Sequence, residues 1–328
     1  MRLLTRLTGV LLVIAVMLGL SPFAAAQGDF SPEEQAALDA VRAALQTFVA
    51  ADSYTTTLTQ DMQQDMAFTA PQGAVTVTQT VVSEGTMQYA RRADGEIPDR
   101  ALDLTQTVAQ VTAGAGADQT QTVGPMRTQL IVAGGRIYMQ MEVPPELGAF
   151  IPEGWQDVTE GAAMFPGLDM FNLDGVLAMG QAISLTYLDE FLAGVTSVEV
   201  LEPETLDGQT VTRYRVATDP RLLVNAIGEE AMLGMFNPGN MAGMDVAVFL
   251  EALLSGPDNT YVLEVVLDEA GALVSYAETT VYDADVSAAF TDPSLAGVTI
   301  TLQQTLTQAY TVRAVNVPLT ITAPEIVP

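Results

Sequence analysis

The sequence contains no cysteine, no histidine and no lysine. A Ser-His-Asp triad, a Cys-His pair, a Schiff-base lysine and a phosphate-loop lysine are therefore all excluded. Zinc sites built on His or Cys are excluded with them. Hydrolysis by paired carboxylates is the familiar enzyme mechanism that remains. We expect a protein that is not an enzyme, with no catalytic residues and no cofactor.

Charge is also scarce, and it is mostly of one sign. Charged residues make up 16% of the chain and apolar residues 49%, which argues against disorder. The 12 basic residues are all arginine, against 40 acidic residues. Without Arg2 and Arg6 the net charge is about −30. Such a surface repels nucleic acid and anionic membranes, so we expect neither as a partner.

The N-terminus has the pattern of a secretory signal. Arg2 and Arg6 precede an apolar stretch at 7–20, and Ala24-Ala25-Ala26 follow Pro22. We expect cleavage before Gln27, a signal peptide at 1–26 and a single domain at 27–328. The expected location is extracytoplasmic, periplasmic or secreted, with a soluble mature chain and no stable membrane insertion.

A helix is predicted directly after the signal. Ser31 is a candidate N-cap, Pro32 suits the first helical position and Glu34 completes a capping box. Apolar residues then recur at helical spacing to about Ala50 and form one stripe that requires a partner surface.

From Tyr54 the period of the apolar residues changes to two, which is typical of antiparallel strands with one buried face. Gly134-Gly135 and Asp207-Gly208 lie between such runs and predict hairpins. The predicted strands are 54–68, 75–89, 101–112, 126–132, 137–143, 195–201, 211–216, 261–267, 273–282, 298–312 and 317–322.

The segment 219–255 is the least polar part of the mature chain. Asp219-Pro220 predicts a helix start, and Pro238-Gly239 interrupts the segment before a last helix that ends near Gly256. Short helices are also predicted at 173–179 and 187–192. We interpret 219–255 as a helical, Met-rich cover over the sheet. Its candidate ligand-lining residues, for each of which ordinary core packing is the favoured interpretation, are Met232, Met235, Phe236, Met244, Phe249 and Leu253.

Two patterns in the sequence are candidate metal sites. Asp169, Asn172 and Asp174 loosely suggest a calcium loop, but their spacing misses the standard hand, and helix capping is the favoured interpretation. Two methionine pairs, Met232 with Met235 and Met241 with Met244, could hold Cu(I), but apolar packing is favoured there too. We expect no metal.

The order of elements predicts the α+β class, with a curved antiparallel half-barrel sheet and helices packed on its concave face. Several motifs make the chain resemble the LolA/LppX/LprG-like lipoprotein-carrier superfamily. They are Gly134-Gly135-Arg136-Ile137-Tyr138, Trp155, Leu206-Asp207-Gly208-Gln209, Arg213-Tyr214-Arg215-Val216, and the hairpin 262–274. The resemblance implies a cavity between sheet and helices that takes acyl chains. A lipid-anchoring cysteine is absent from this sequence.

Three hypotheses follow. The first is an exported, non-catalytic binding or carrier protein for a lipid, an acyl chain or a lipid-modified protein. The second is an envelope sensor or structural interaction module on the same scaffold, with an envelope protein as partner. The third is a carboxylate-dependent hydrolase, which requires two acids in one cleft. Adjacent acids occur at Asp189-Glu190 and Glu229-Glu230, as expected on solvated faces of a chain with 40 acids.

Overall fold

A computed structural model describes most of the chain. The described residues are 30–71, 73–92, 97–114, 118–145, 151–159, 185, 188–206, 208–220, 244–256 and 259–326. The predicted signal segment 1–26, the candidate calcium loop, the predicted helix 173–179 and most of the predicted cover 219–255 lie outside these residues.

Three α-helices lie in the described part of the chain: α1 (Pro32–Val49), α2 (Leu188–Ala193) and α3 (Val246–Ser255). Helix α1 begins with the predicted capping box. Glu34 N donates to Ser31 Oγ at 3.2 Å, and Ser31 N donates to Glu34 Oε2 at 2.8 Å. Asp245 caps α3 in a similar way, because its side chain accepts from Val248 N at 3.2 Å.

The strands at the centre of the sheet are long, and their burial alternates with the predicted period of two. The strands of the described chain are β1 (Ser53–Ala70), β2 (Gly73–Ala90), β3 (Asp99–Ala113), β4 (Gln119–Ala133), β5 (Arg136–Glu142), β6 (Gln156–Asp157), β7 (Val195–Val200), β8 (Glu204–Leu206), β9 (Gln209–Thr218), β10 (Thr260–Asp268), β11 (Leu273–Asp285) and β12 (Thr299–Val315).

All twelve strands belong to one antiparallel sheet. Its order is β6-β5-β4-β3-β2-β1-β12-β11-β10-β9-β7, with β8 paired to β9. The first strand therefore lies beside the last, and a run of antiparallel strands extends outward on each side of this central pair. The sheet is open, since β6 and β7 end the path. The antiparallel sheet of the α+β prediction is confirmed. The described part of the chain is mainly sheet, however, and contains few helices.

Helix α1 packs its apolar stripe onto the sheet. Val41 and Leu45 are completely buried, and Leu38 and Phe48 are each 2% exposed. The helix contacts α2, β7, β9 and β11. Burying each such side chain is worth about 1.5–3 kcal/mol, so the helix is held by packing more than by its intrinsic propensity.

The predicted strand 317–322 is wrong. Strand β12 ends at Val315, and Asn316 takes a positive φ of 54° that turns the chain out of the sheet. Asn316 N donates to Ser53 O at 2.8 Å, and Asp52 N donates to the Asn316 side chain at 2.8 Å. Pro318 follows, and it has no backbone N–H to donate to a neighbouring strand. The alternation of apolar residues at 317–322 is therefore not sufficient for a strand.

None of the helices in the described ranges combines the length and the apolar character that a membrane crossing needs.

Candidate ligand-binding face

The inner face is the side of the sheet that carries Leu58, Met62 and Met66 of β1, each 1% exposed. Side chains alternate between the two faces of a strand, so residues paired across neighbouring strands share a face. The register therefore groups the inner side chains into rows that run across the strands.

One apolar row crosses the centre of the inner face. Met62 lies opposite Val81 of β2 and Leu306 of β12, and Val81 lies opposite Val108 of β3. With Met126 of β4 these residues form the middle cluster, in which every member is at most 8% exposed. A separate cluster contains Met66, Val77 and residues of α3, and a third, larger one contains the stripe of α1.

A row of glutamines borders the middle cluster on one side. Gln64 lies opposite Gln79 of β2 and Gln304 of β12, and the three side chains are 1–2% exposed. Gln64 Nε2 donates to Gln304 Oε1 at 3.3 Å. We call these three residues the glutamine row.

A second polar row borders the middle cluster on the other side. It contains Gln60, Ser83, Gln308 and Glu278, and all four side chains are buried. Gln308 Nε2 donates to Gln60 Oε1 at 3.2 Å. Two buried polar rows thus enclose one apolar row, an arrangement unlike the continuous apolar lining of an ordinary core.

Several polar atoms of these rows have no hydrogen-bond partner among the described residues. In the glutamine row they are both side-chain polar atoms of Gln79, Gln64 Oε1 and Gln304 Nε2. In the second row they are Gln60 Nε2 and Ser83 Oγ. Each unsatisfied buried polar group costs about 1–3 kcal/mol. The inner face therefore needs further hydrogen-bonding groups, from ordered water or from a ligand.

Tyrosines lie beside the second polar row. Burial raises the pKa of Tyr261 and of Tyr310 well above its usual value, and the nearby Glu278 carboxylate raises both further. These phenols are therefore neutral at ordinary pH and add no anion to the inner face.

Most charged strand residues lie on the opposite, outer face. Arg127 donates to both oxygens of Asp103, at 2.8 and 2.6 Å, and holds the pKa of that carboxyl below its usual value. Among the described strand residues, the register places the charged side chains Glu278 and Arg100 on the inner face. Arg100 is the second residue of β3, and its guanidinium lies 6.0 Å from the ring centroid of Tyr89.

The predicted lining residues are only partly within the described chain. Phe249 and Leu253 of α3 are 3% and 1% exposed and pack in one cluster with inner-face side chains of β1 and β2. Met244 is half-buried at the edge of that cluster and bridges to Phe290. Met232, Met235 and Phe236 lie outside the described residues. The ligand-lining role of all six stays a prediction.

A groove of about 670 Å3 lies elsewhere, between α1 and the β10–β11 turn. Ala40, Ala43 and Thr47 form one wall, and the turn at 268–272 forms another. Phe48 and Leu267 belong to the large core cluster and also line the groove. Sequence reasoning did not predict this groove, which depends on how the helix meets the turn.

Sequence reasoning also missed the polar rows. The signal was present, because Gln60 and Gln64 occupy the same alternate positions as Leu58 and Met62. Isolated glutamines within a strand are unremarkable, and the rows become visible only when β1, β2 and β12 are placed in register.

Comparison with known proteins gives a limited result. No family model matches the chain, and no curated protein matches it. Among solved structures, LprF from Mycobacterium bovis is 12% identical, covers 93% of this chain and 99% of its own, and has a TM-score of 0.35. The lipoprotein LppX from Mycobacterium tuberculosis is 11% identical, covers 88% and 100%, and has a TM-score of 0.32.

A putative outer membrane lipoprotein-sorting domain from Vibrio parahaemolyticus is 10% identical, covers 83% of this chain and 91% of its own, and has a TM-score of 0.14. LppX is one of the proteins that the LolA/LppX/LprG-like resemblance names. The TM-scores of these three structures are below 0.5, so the likeness carries nothing about the ligand of this chain.

Proposed function

We propose that this chain is an exported, non-catalytic binding or carrier protein that holds a hydrophobic ligand, such as a lipid acyl chain, against the inner face. The ligand lies on the middle cluster. Export depends on the predicted signal at 1–26 with cleavage before Gln27. In this proposal the sheet is a curved half-barrel, the domain is 27–328, and the segment 219–255 is its cover.

The separation of the core into clusters carries the proposal. The clusters on either side of the middle cluster contain residues of α1 or α3, such as Leu45 and Leu253. Within the described part of the chain, the middle cluster contains no residue of these helices. Neither α1 nor α3 thus shares a cluster with the centre of this wide apolar face, and it is there that we place the ligand.

The side chains of the middle cluster suit an acyl chain. Met62 and Met126 are unbranched and flexible, and such residues adapt to irregular apolar ligands. Burying one methylene is worth about 0.8 kcal/mol, so a 16-carbon chain contributes on the order of 12 kcal/mol before association costs. No catalytic group is needed for this role.

Hydrolysis by carboxylates receives less support. Such a mechanism uses two carboxyl groups roughly 5–10 Å apart. Glu278 is the only acidic residue that is buried within the described chain. A single carboxylate can supply one of the two roles that the mechanism requires.

The direct test is native mass spectrometry of the mature protein, residues 27–328, followed by organic extraction. We expect an added mass that extraction removes and that is recovered as an apolar molecule. We also expect the extracted protein to take up a fluorescent fatty-acid analogue. A homogeneous ligand-free mass together with no uptake of the analogue would contradict the proposal and favour the interaction-module hypothesis.

A pair of variants tests the location. Val81 is fully buried in the middle cluster, whereas its neighbour Val82 is 51% exposed on the outer face. If the middle cluster lines the ligand site, we expect Val81→Phe to weaken uptake of the analogue at least tenfold and to change the free energy of unfolding little. In a filled core the same change lowers that free energy by about 1–3 kcal/mol and leaves uptake unchanged. Val82→Phe is the control and affects neither.

A further inference from the structure

The two polar rows lie close to the proposed ligand position. Gln60 and Gln64 are each two residues from Met62 along β1, which places both rows about 7 Å from the centre of the middle cluster. A molecule that lies on the middle cluster and extends along the strands in either direction therefore meets buried amides.

The unpartnered atoms define the chemistry that these rows accept. Gln79 offers both a donor, Nε2, and an acceptor, Oε1, while Gln64 offers an acceptor and Gln304 a donor. These side chains are at most 2% exposed, so bulk water does not supply their partners. Carbonyl and hydroxyl oxygens, or amides, match such a mixed set.

Hydrogen-bonding capacity separates neutral from anionic head groups. A carboxylate only accepts hydrogen bonds, so at the glutamine row it would leave Gln64 Oε1 and Gln79 Oε1 without a donor. Arg100 is on the same strand as Gln110, the partner of Gln79, but ten residues away, which is about 33 Å along β3. None of the charged strand residues in the described chain supplies a cation at the glutamine row, so an anionic head group there would lose its hydration without gaining an ion pair with them.

Resting on the proposed function, we infer that the ligand is an uncharged amphiphile. Its ester, amide or hydroxyl groups bond to Gln79 and the neighbouring glutamines, while its hydrocarbon chain covers the middle cluster. The glutamine row is thus a specificity site that distinguishes neutral acyl esters and amides from free fatty acids.

The experiment compares two ligands with the same 16-carbon chain on the extracted mature protein. Monopalmitoylglycerol is neutral and carries an ester and two hydroxyls, whereas palmitate is anionic at neutral pH. Each competes against a bound fluorescent hydrocarbon probe, such as a diphenylhexatriene. We expect monopalmitoylglycerol to displace the probe at a concentration at least tenfold lower than palmitate. Equal potency, or a preference for palmitate, would overturn the inference.

Variants assign the preference to the row. Gln79→Met keeps the length of the side chain and removes both unpartnered atoms, so we expect it to reduce the preference about tenfold and leave probe affinity within twofold. Gln304→Met provides a second, independent substitution in the same row. Gln63→Leu, on the exposed outer face of β1, is the control and leaves the preference unchanged.

The outcomes separate this inference from the proposed function. If neither the probe nor the acyl ligands bind, the proposed function fails. If the probe binds but Gln79→Met and Gln304→Met both leave the preference intact, the row holds structural water only and the inference fails alone. If circular dichroism shows that Gln79→Met is unfolded, the preference measured with Gln304→Met decides whether the inference holds.

Discussion

Tyr276 of β11 and Tyr310 of β12 lie directly opposite each other, and their rings stack with centroids 4.6 Å apart and planes 13° apart. Phe48 of α1 approaches Tyr276 edge-on at 6.1 Å. The helix is thus joined to the inner face through aromatic packing, in addition to its aliphatic stripe. The first prediction follows from these rings.

The first concerns the hydroxyl of Tyr276, which is fully buried and has no hydrogen-bond partner among the described residues. Tyr276→Phe keeps the stacked ring and removes the unsatisfied group, so we expect the free energy of unfolding to rise by up to about 1 kcal/mol. Tyr276→Leu loses the stacking and is expected to destabilise the protein instead. Urea unfolding followed by circular dichroism measures both, and a destabilised Phe variant would contradict the prediction.

The second prediction concerns alkaline pH. Burial raises the pKa of Tyr54 to about 12, although the nearby Arg100 partly opposes the rise. A raised folded-state pKa gives stability that is present below pH 10, the ordinary tyrosine value, and lost as pH rises toward 12. Each such tyrosine lowers the free energy of unfolding by about 1.4 kcal/mol per pH unit in this window. Tyr54→Phe should reduce the slope between pH 10 and 11.5, and an unchanged slope would contradict this assignment.

The sequence was sufficient for the elements that depend on local pattern. The capping box of Ser31 and Glu34 and the alternation from Leu58 to Met66 predicted α1 and β1, because both signals act within a few residues. The polar rows could not be predicted in the same way. Gln64 and Gln304 are 240 residues apart, and only the pairing of the first strand with the last brings their amides together.

The capping box itself gives the third prediction. Ser31→Ala removes the acceptor for Glu34 N, and we expect it to lower the free energy of unfolding by about 1 kcal/mol. The apolar stripe of helix α1 is part of the large core cluster, so the loss should appear in global unfolding by urea. Gln46→Ala, at an exposed position of the same helix, is the control. Equal effects of the two variants would show that the box contributes nothing.

The fourth prediction concerns Asp103 on the outer face. The bidentate Arg127 guanidinium holds the pKa of Asp103 below its usual value, chiefly through hydrogen bonding. A lowered pKa contributes stability that is present above about pH 4 and lost as pH falls through the folded-state value. Arg127→Gln should raise the pKa of Asp103, measured by carbonyl NMR, whereas Arg313→Gln on β12 should not change it. An unchanged pKa in the first variant would show that Arg127 is not its cause.

The fifth prediction decides between the middle cluster and the groove beside α1. Ala43 lines the groove and Ala36 of the same helix does not, although both are exposed. Ala43→Phe fills part of the 670 Å3 groove, and Ala36→Phe adds the same ring to an open surface. Because the proposed ligand lies on the middle cluster, we expect both variants to bind the fluorescent hydrocarbon probe within twofold of the parent. Exposed substitutions of this kind change stability by about 0.5 kcal/mol or less, so altered binding is separable from unfolding. A loss of probe binding in Ala43→Phe alone would move the ligand site from the inner face to the groove.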